Sequence, residues 1–140
     1  MLNISARNQL PGTIVSVERG AVNGIVTIDL DSDIVTADIT LASIDRLGLE
    51  PGRDVLAVIK ASSVMFAAGE LAVSARNQFC GTVASVTPGA VNGIVTLVTD
   101  GGLEITGSIT MASIERLGLK SGVHATAIIK ATEVMVATED

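Results

Sequence analysis

Apolar positions in this chain come in short runs with two different periods. Over 12–19 (GTIVSVER), 24–30 (GIVTIDL) and 34–40 (IVTADIT), apolar residues alternate with small or polar ones. That is the period of a strand with one face buried. Between the first two runs lies Ala21-Val22-Asn23-Gly24, and Asn-Gly between apolar runs predicts a hairpin turn. At 41–47 (LASIDRL) the period changes: Leu41, Ile44 and Leu47 stand three apart, which predicts one or two turns of helix stopped by Gly48. Pro51-Gly52 makes a turn, DVLAVIKAS at 54–62 reads as a buried strand, and VMFA at 64–67 as a last strand that closes the sheet.

The whole pattern is then written again. SARNQ at 5–9 recurs at 74–78 and GAVNGIVT at 20–27 recurs at 89–96, both at an offset of 69. After Asp38 the offset is 70: ITLASIDRLGL at 39–49 matches ITMASIERLGL at 109–119, and IKAS at 59–62 matches IKAT at 129–132. More than half of the aligned positions are identical, so the chain is a duplication. The repeats divide it into domains 1–68 and 69–140, joined by the small-residue stretch Ala68-Gly69-Glu70. The expected fold is all-β: two tandem OB-like β-barrels, each with one short helix.

Composition narrows the function. Phe66 and Phe79 are the only aromatic residues, so the core is built from aliphatic side chains. Mean hydropathy is +0.56, yet no apolar run approaches the ~18–20 residues of a spanning helix, and Lys60 and Glu70 interrupt the most apolar region. The start, MLNISARNQLPG, lacks the basic and apolar regions of a signal peptide. One cysteine excludes an intrachain disulfide and fits a reducing cytoplasm. A net charge of −6 with no stacking platform argues against nucleic acid, including a single-strand-binding barrel. The expectation is a cytoplasmic protein with neither membrane nor nucleic acid as partner.

No enzymatic constellation stands out. His124 has Asp54 as its counterpart and reads as an exposed imidazole, while Cys80 matches Pro11 and reads as a small core or turn residue. No His/Cys cluster has metal-ligand spacing. Asp29, Asp31, Asp33 and Asp38 gather in the first repeat only, apart from Asp31 with Asp100, and read as a solvated face. What both repeats keep is a set of hydrogen-bond donors: Ser5, Arg7, Asn8, Thr40, Ser43, Lys60 and Ser62, then Ser74, Arg76, Asn77, Thr110, Ser113, Lys130 and Thr132. Cations and hydroxyls without a retained carboxylate make a poor acid–base site but suit an oxyanion. Thr40 is placed to cap the helix, with Ser43 at its third position.

SARNQ, GAVNGIV, ITxASIxRLGL and IKA followed by Ser or Thr resemble the Mop domain of molybdate-binding proteins, a TOBE-like family, in the tandem form called di-molbindin. The resemblance covers the chain from about Asn3 to Ala137. It implies a small barrel that assembles into a trimer and binds molybdate or tungstate at domain interfaces, with no cofactor. It also implies which residues meet the anion. One set is Ser5, Arg7, Lys60, Ala61 (by its backbone) and Ser62 with Thr40, Ala42 and Ser43. The other is Ser74, Arg76, Lys130, Ala131 and Thr132 with Thr110, Ala112 and Ser113. The turns Gly20, Ala21, Val22, Asn23 and Gly89, Ala90, Val91, Asn92 are candidates for a second kind of anion site.

The function expected is storage of molybdate, a tetrahedral dianion that only accepts hydrogen bonds. A donor-only pocket would reject protonated phosphate, whose proton would lack an acceptor at a cost of about 1–3 kcal/mol. Sulfate would have to be rejected by size. The alternative is a ligand-sensing regulatory module acting through a partner protein.

Overall fold

A computed structural model describes residues 2–69 and 71–139. Glu70, in the stretch that joins the repeats, lies outside the described residues. Among the described residues, ten strands run in order with two α-helices: β1 (Asn8–Arg19), β2 (Asn23–Asp29), β3 (Ile34–Thr40), α1 (Leu41–Leu47), β4 (Asp54–Ile59) and β5 (Met65–Ala67). The second repeat follows with β6 (Asn77–Thr87), β7 (Asn92–Thr99), β8 (Glu104–Thr110), α2 (Met111–Leu117), β9 (His124–Ile129) and β10 (Met135–Ala137). A 3-10 turn, Ala61–Ser63 or Ala131–Glu133, precedes each last strand.

The strands form two antiparallel five-stranded sheets, ordered β10-β4-β1-β2-β3 and β5-β9-β6-β7-β8. The last strand of each repeat has therefore been exchanged. Met135–Ala137 pairs with Leu56–Val58, and Met65–Ala67 pairs with Thr126–Ile128. The compact units are residues 1–59 with 130–140, and residues 60–129, whereas the boundary at 68/69 marks the sequence repeat. Within the first unit the turn Ala131–Glu133 packs on β3, and within the second Ala61–Ser63 packs on β8. Each turn thus helps close its barrel between the two edge strands.

β1 shows how twelve residues serve two partners. Asn8–Thr13 pair with β4, and Thr13–Arg19 pair with β2. The register shifts between Ile14 and Ser16, a bulge that bends the strand from one side of the barrel to the other. At Gly12 a Cβ would stand 2.6 Å from the Asp29 carbonyl oxygen, so the crossing requires a residue without a side chain. The core is aliphatic, as composition demands: Ile14, Val26, Ile28, Val35, Ile44 and Ile59 in one unit, Val83, Val95, Leu97, Ile105, Ile114 and Ile129 in the other.

Several sequence expectations are adjusted. β1 begins at Asn8 rather than Gly12, so the end of SARN is strand and not loop. The strand expected over 54–62 ends at Ile59, and Ala61–Ser63 form the 3-10 turn instead. The extra residue of the second repeat lies in the β7–β8 turn, not after Asp38. β3 and β8 are both seven residues long, while β7 is one residue longer than β2. The structural counterpart of Asp38 is therefore Ser108.

Candidate anion-binding site

The repeated word SARNQ divides into a donor part and a structural part. Ser5 and Arg7 are exposed. Asn8 is buried, 3% exposed, and its Nδ2 donates to the Ile59 carbonyl at 3.1 Å. Gln9 Nε2 donates to the carbonyls of Ile4 (3.3 Å) and Ala6 (3.2 Å), folding the segment that carries Ser5 back on the strand start. Gln78 repeats this with Val73 and Ala75, both at 3.1 Å. The donor reading gives these glutamines no role, although their retention inside SARNQ is the signal of one. The oxygen and two N–H donors of a glutamine can hold a loop in shape without contacting any ligand.

Asn8 pairs with Ile59, the last rung of the β1–β4 ladder; Arg7 precedes that rung and Lys60 follows it. Lys60 is exposed in extended geometry (φ −68°, ψ 140°) and leads into the 3-10 turn, where its carbonyl accepts from Ser63 N at 3.0 Å. Lys130 does the same for Glu133 N at 2.9 Å. A lysine near the end of a buried strand is accounted for: the strand stops one residue earlier. Among the described residues, no carboxylate pairs with Arg7, Lys60, Arg76 or Lys130.

The helix starts form as the TxxS spacing predicts. Thr40 Oγ1 accepts from Ser43 N at 3.1 Å, and Thr110 Oγ1 from Ser113 N at 3.1 Å. Each threonine hydroxyl also donates to the serine Oγ, at 3.0 Å and 2.9 Å. With its oxygen occupied in this way, the serine hydroxyl proton is directed elsewhere. Leu41 N donates to Val22 O at 2.9 Å and Met111 N to Val91 O at 2.8 Å. Of the amides that open the helix, those of Ala42 and Ala112 remain as donors.

Because the last strands are exchanged, the first unit holds Ser5, Arg7, Asn8, Thr40, Ala42 and Ser43 with Lys130, Ala131 and Thr132. The second holds Ser74, Arg76, Asn77, Thr110, Ala112 and Ser113 with Lys60, Ala61 and Ser62. The turn residues Gly20–Val22 are exposed, with Gly20 N donating to Asn23 O at 2.8 Å. Asn23 and Gly24 already belong to β2, and neither has a positive φ, so the hairpin does not use Asn-Gly geometry. Gly24 is needed for packing: a Cβ there would stand 2.5 Å from Ile44 Cδ1. Asp38 is not simply a solvated carboxylate either. It is half-buried and accepts from Asn23 Nδ2 at 2.9 Å.

His124 is exposed and 4.0 Å from Asp100, as a surface imidazole should be. Cys80 is neither core nor turn: it is an exposed residue of β6 whose Sγ lies 3.7 Å from Thr126 Oγ1. Among the described residues, no three His, Cys, Asp or Glu side chains gather to hold a metal ion. Among the described residues, no helix is long and apolar enough to cross a membrane.

Two five-stranded sheets, with the same set of donor residues written into each repeat, define a tandem small-barrel protein. The sequence model of the TOBE domain matches residues 4–66 and again 73–136, and the chain belongs to that family. It is 44% identical over 139 residues to the molybdenum-pterin-binding protein MopA of Rhodobacter capsulatus, covering 97% of this chain and 52% of that one. To the molybdenum transport protein ModE of Herbaspirillum seropedicae it is 39% identical over 141 residues, covering 99% of this chain and 52% of that one. To the transcriptional regulator ModE of Yersinia pestis it is 36% identical over 140 residues, 98% and 53%. The chain thus spans about half the length of these relatives. The crystal structure of the cytoplasmic molybdate-binding protein ModG, with molybdate bound, is similar with a TM-score of 0.95. Identity is 42%, over 99% of this chain and 100% of that one.

Proposed function

We propose that this protein binds molybdate, and tungstate, reversibly and holds it as a cytoplasmic store without transforming it. The observation that carries the reading is the set of four cations, Arg7, Lys60, Arg76 and Lys130, that no described carboxylate neutralises. Beside them in the sequence pattern stand the hydroxyls and amides of Thr40–Ser43 and Thr110–Ser113. Charge-assisted hydrogen bonds from such donors are short and about twice as strong as neutral ones. They act locally, and the chain's net −6 charge is screened beyond ~8–10 Å. No repeated base or nucleophile accompanies them, which favours binding over catalysis.

The residues assigned to the anion are Ser5, Arg7, Thr40, Ala42, Ser43, Lys60, Ala61 and Ser62 and their counterparts in the second repeat. They act at domain interfaces of a homotrimer. Ligand that bridges domains stabilises the assembly by mass action. The test is molybdenum analysis after incubation with molybdate, with sulfate competing, followed by desalting and light scattering. Retained molybdenum that sulfate does not displace supports the reading; none retained overturns it. Arg7→Ala should weaken retention more than Asp33→Ala, and equal effects would count against the assignment.

A second reading is that the tandem barrels sense the anion for a regulator. The match to a transcriptional regulator, of which this chain spans 53%, supports it. A pull-down whose yield changes with molybdate would favour sensing over storage.

A further inference from the structure

Gln9 and Gln78 occupy the same outward-facing position of β1 and β6, each between two buried neighbours: Asn8 and Leu10, Asn77 and Phe79. The next outward position along each strand is not kept, since Pro11 corresponds to Cys80. The core does not ask for glutamine here either: the side chain is half-buried at 9 and exposed at 78. Both copies nevertheless make the same pair of bonds. A single amide nitrogen reaches two carbonyls, Ile4 (3.3 Å) and Ala6 (3.2 Å) from Gln9, Val73 and Ala75 (both 3.1 Å) from Gln78. Gln9 Oε1 in addition accepts from Leu2 N at 2.9 Å.

The two carbonyls belong to the residues on either side of Ser5 or Ser74. In a trans peptide the N–H points opposite to the C=O, and no peptide bond of the described residues is cis. With the Ile4 and Ala6 carbonyls turned toward Gln9, the N–H groups of Ser5 and Arg7 are turned away from it. Those of Ser74 and Arg76 stand likewise against Gln78. Among the described residues, no carbonyl takes up any of these four amides. A peptide plane released by the glutamine can rotate and present an oxygen where it now presents an N–H. The clasp therefore decides whether the segment offers donors or acceptors on its free side.

We infer that Gln9 and Gln78 are positioning residues that set anion specificity: each holds the carbonyls flanking Ser5 or Ser74 inward, so that only donors face a tetrahedral oxyanion. The inference rests on the reading of the chain as a molybdate binder and adds what keeps backbone acceptors out of its site. Molybdate has no proton to donate and loses affinity to a carbonyl turned toward it. Protonated phosphate gains the acceptor that its proton needs.

The test is equilibrium dialysis of the full chain against molybdate, with inorganic phosphate competing, on Gln9→Met and Gln78→Met. Methionine keeps the length of the side chain and removes both N–H donors. Each variant should weaken molybdate binding about tenfold in the altered repeat and let phosphate compete at about tenfold lower concentration. Thermal unfolding should stay near wild type, because neither side chain is part of the core. Should a methionine variant fail to fold, Gln9→Asn or Gln78→Asn withdraws the amide by one methylene and puts the same question. Wild-type affinity and wild-type phosphate competition in the variants would overturn the inference while leaving the molybdate reading standing. Weaker molybdate binding with an unchanged ratio to phosphate would also overturn it, since a loop that is merely loosened loses affinity for both anions alike. Wild-type protein that binds no molybdate would overturn both readings.

Discussion

The buried amide of Asn8 holds the carbonyl of Ile59 at 3.1 Å, across the last rung before the chain turns out at Lys60. That one bond fixes the point from which the lysine and the 3-10 turn depart. Removing it leaves a carbonyl in an apolar setting without its side-chain donor. Asn8→Ala is expected to destabilise the protein by about 1–3 kcal/mol. Denaturant unfolding measures this, and calorimetry should show weaker molybdate binding. Undiminished affinity at lowered stability would confine Asn8 to folding.

The threonine caps make a separable prediction. Thr40→Ala should cost about 1 kcal/mol through the lost bond to Ser43 N. It also frees the Ser43 hydroxyl to rotate, so the anion should bind more weakly. Thr40→Ser keeps the oxygen and should recover most of both losses. Thermal unfolding and calorimetry on the two variants distinguish a cap from a ligand contact: affinity that stays at wild type in Thr40→Ala would make the threonine a cap alone.

Side-chain sizes support the exchange of last strands. Phe66 of the first repeat fills the space over Gly107 of the second, where a Cβ would stand 2.4 Å from the ring. The corresponding residues of the other unit are Val136 and Ala37, smaller over larger. Gly107→Ala should destabilise by about 1–3 kcal/mol through overpacking, and Phe66→Val should relieve most of that cost. A double-mutant cycle with no coupling would mean that Phe66 does not pack on Gly107.

Residues 1–68 expressed alone would keep β4 but lose β10, the strand that covers its outer edge. An uncovered edge strand invites pairing with another chain. The fragment should be unfolded, or associate by lending its own β5 to a neighbour. A monomer with a single cooperative unfolding transition, seen by light scattering and melting, would contradict the exchange.

Much of the fold is written in local signals. α1 spans the residues predicted because three devices agree: Leu41, Ile44 and Leu47 in period, the Thr40 cap, and Gly48 in the left-handed region at φ 64°. Other features have no local signature. VMFA and VMVA carry the same strand signal, so periodicity cannot say which repeat's β4 or β9 each one joins. Asn23-Gly24 looks like a turn dipeptide, yet Ile44 packing against Gly24 accounts for the glycine and a bond to Asp38 for the asparagine. Lys60-Ala61-Ser62 continues a strand in letters only, because a 3-10 turn this short leaves no period to read. Of the site, the donor residues were legible as retained letters. The loop-holding role of Gln9 and Gln78 was not, since a side chain that binds backbone carbonyls looks in sequence like any exposed amide.

The exchanged strands also bear on how such a chain can change over generations. Two tandem copies this similar are a natural substrate for recombination that collapses them back to one. Here a collapse would return a single repeat whose sheet no longer finds its last strand within its own chain, so the shortened product would have to take that strand from a second copy. The exchange makes each half complete the other's sheet within one chain, even as the two halves have diverged in charge at Asp38 and Ser108.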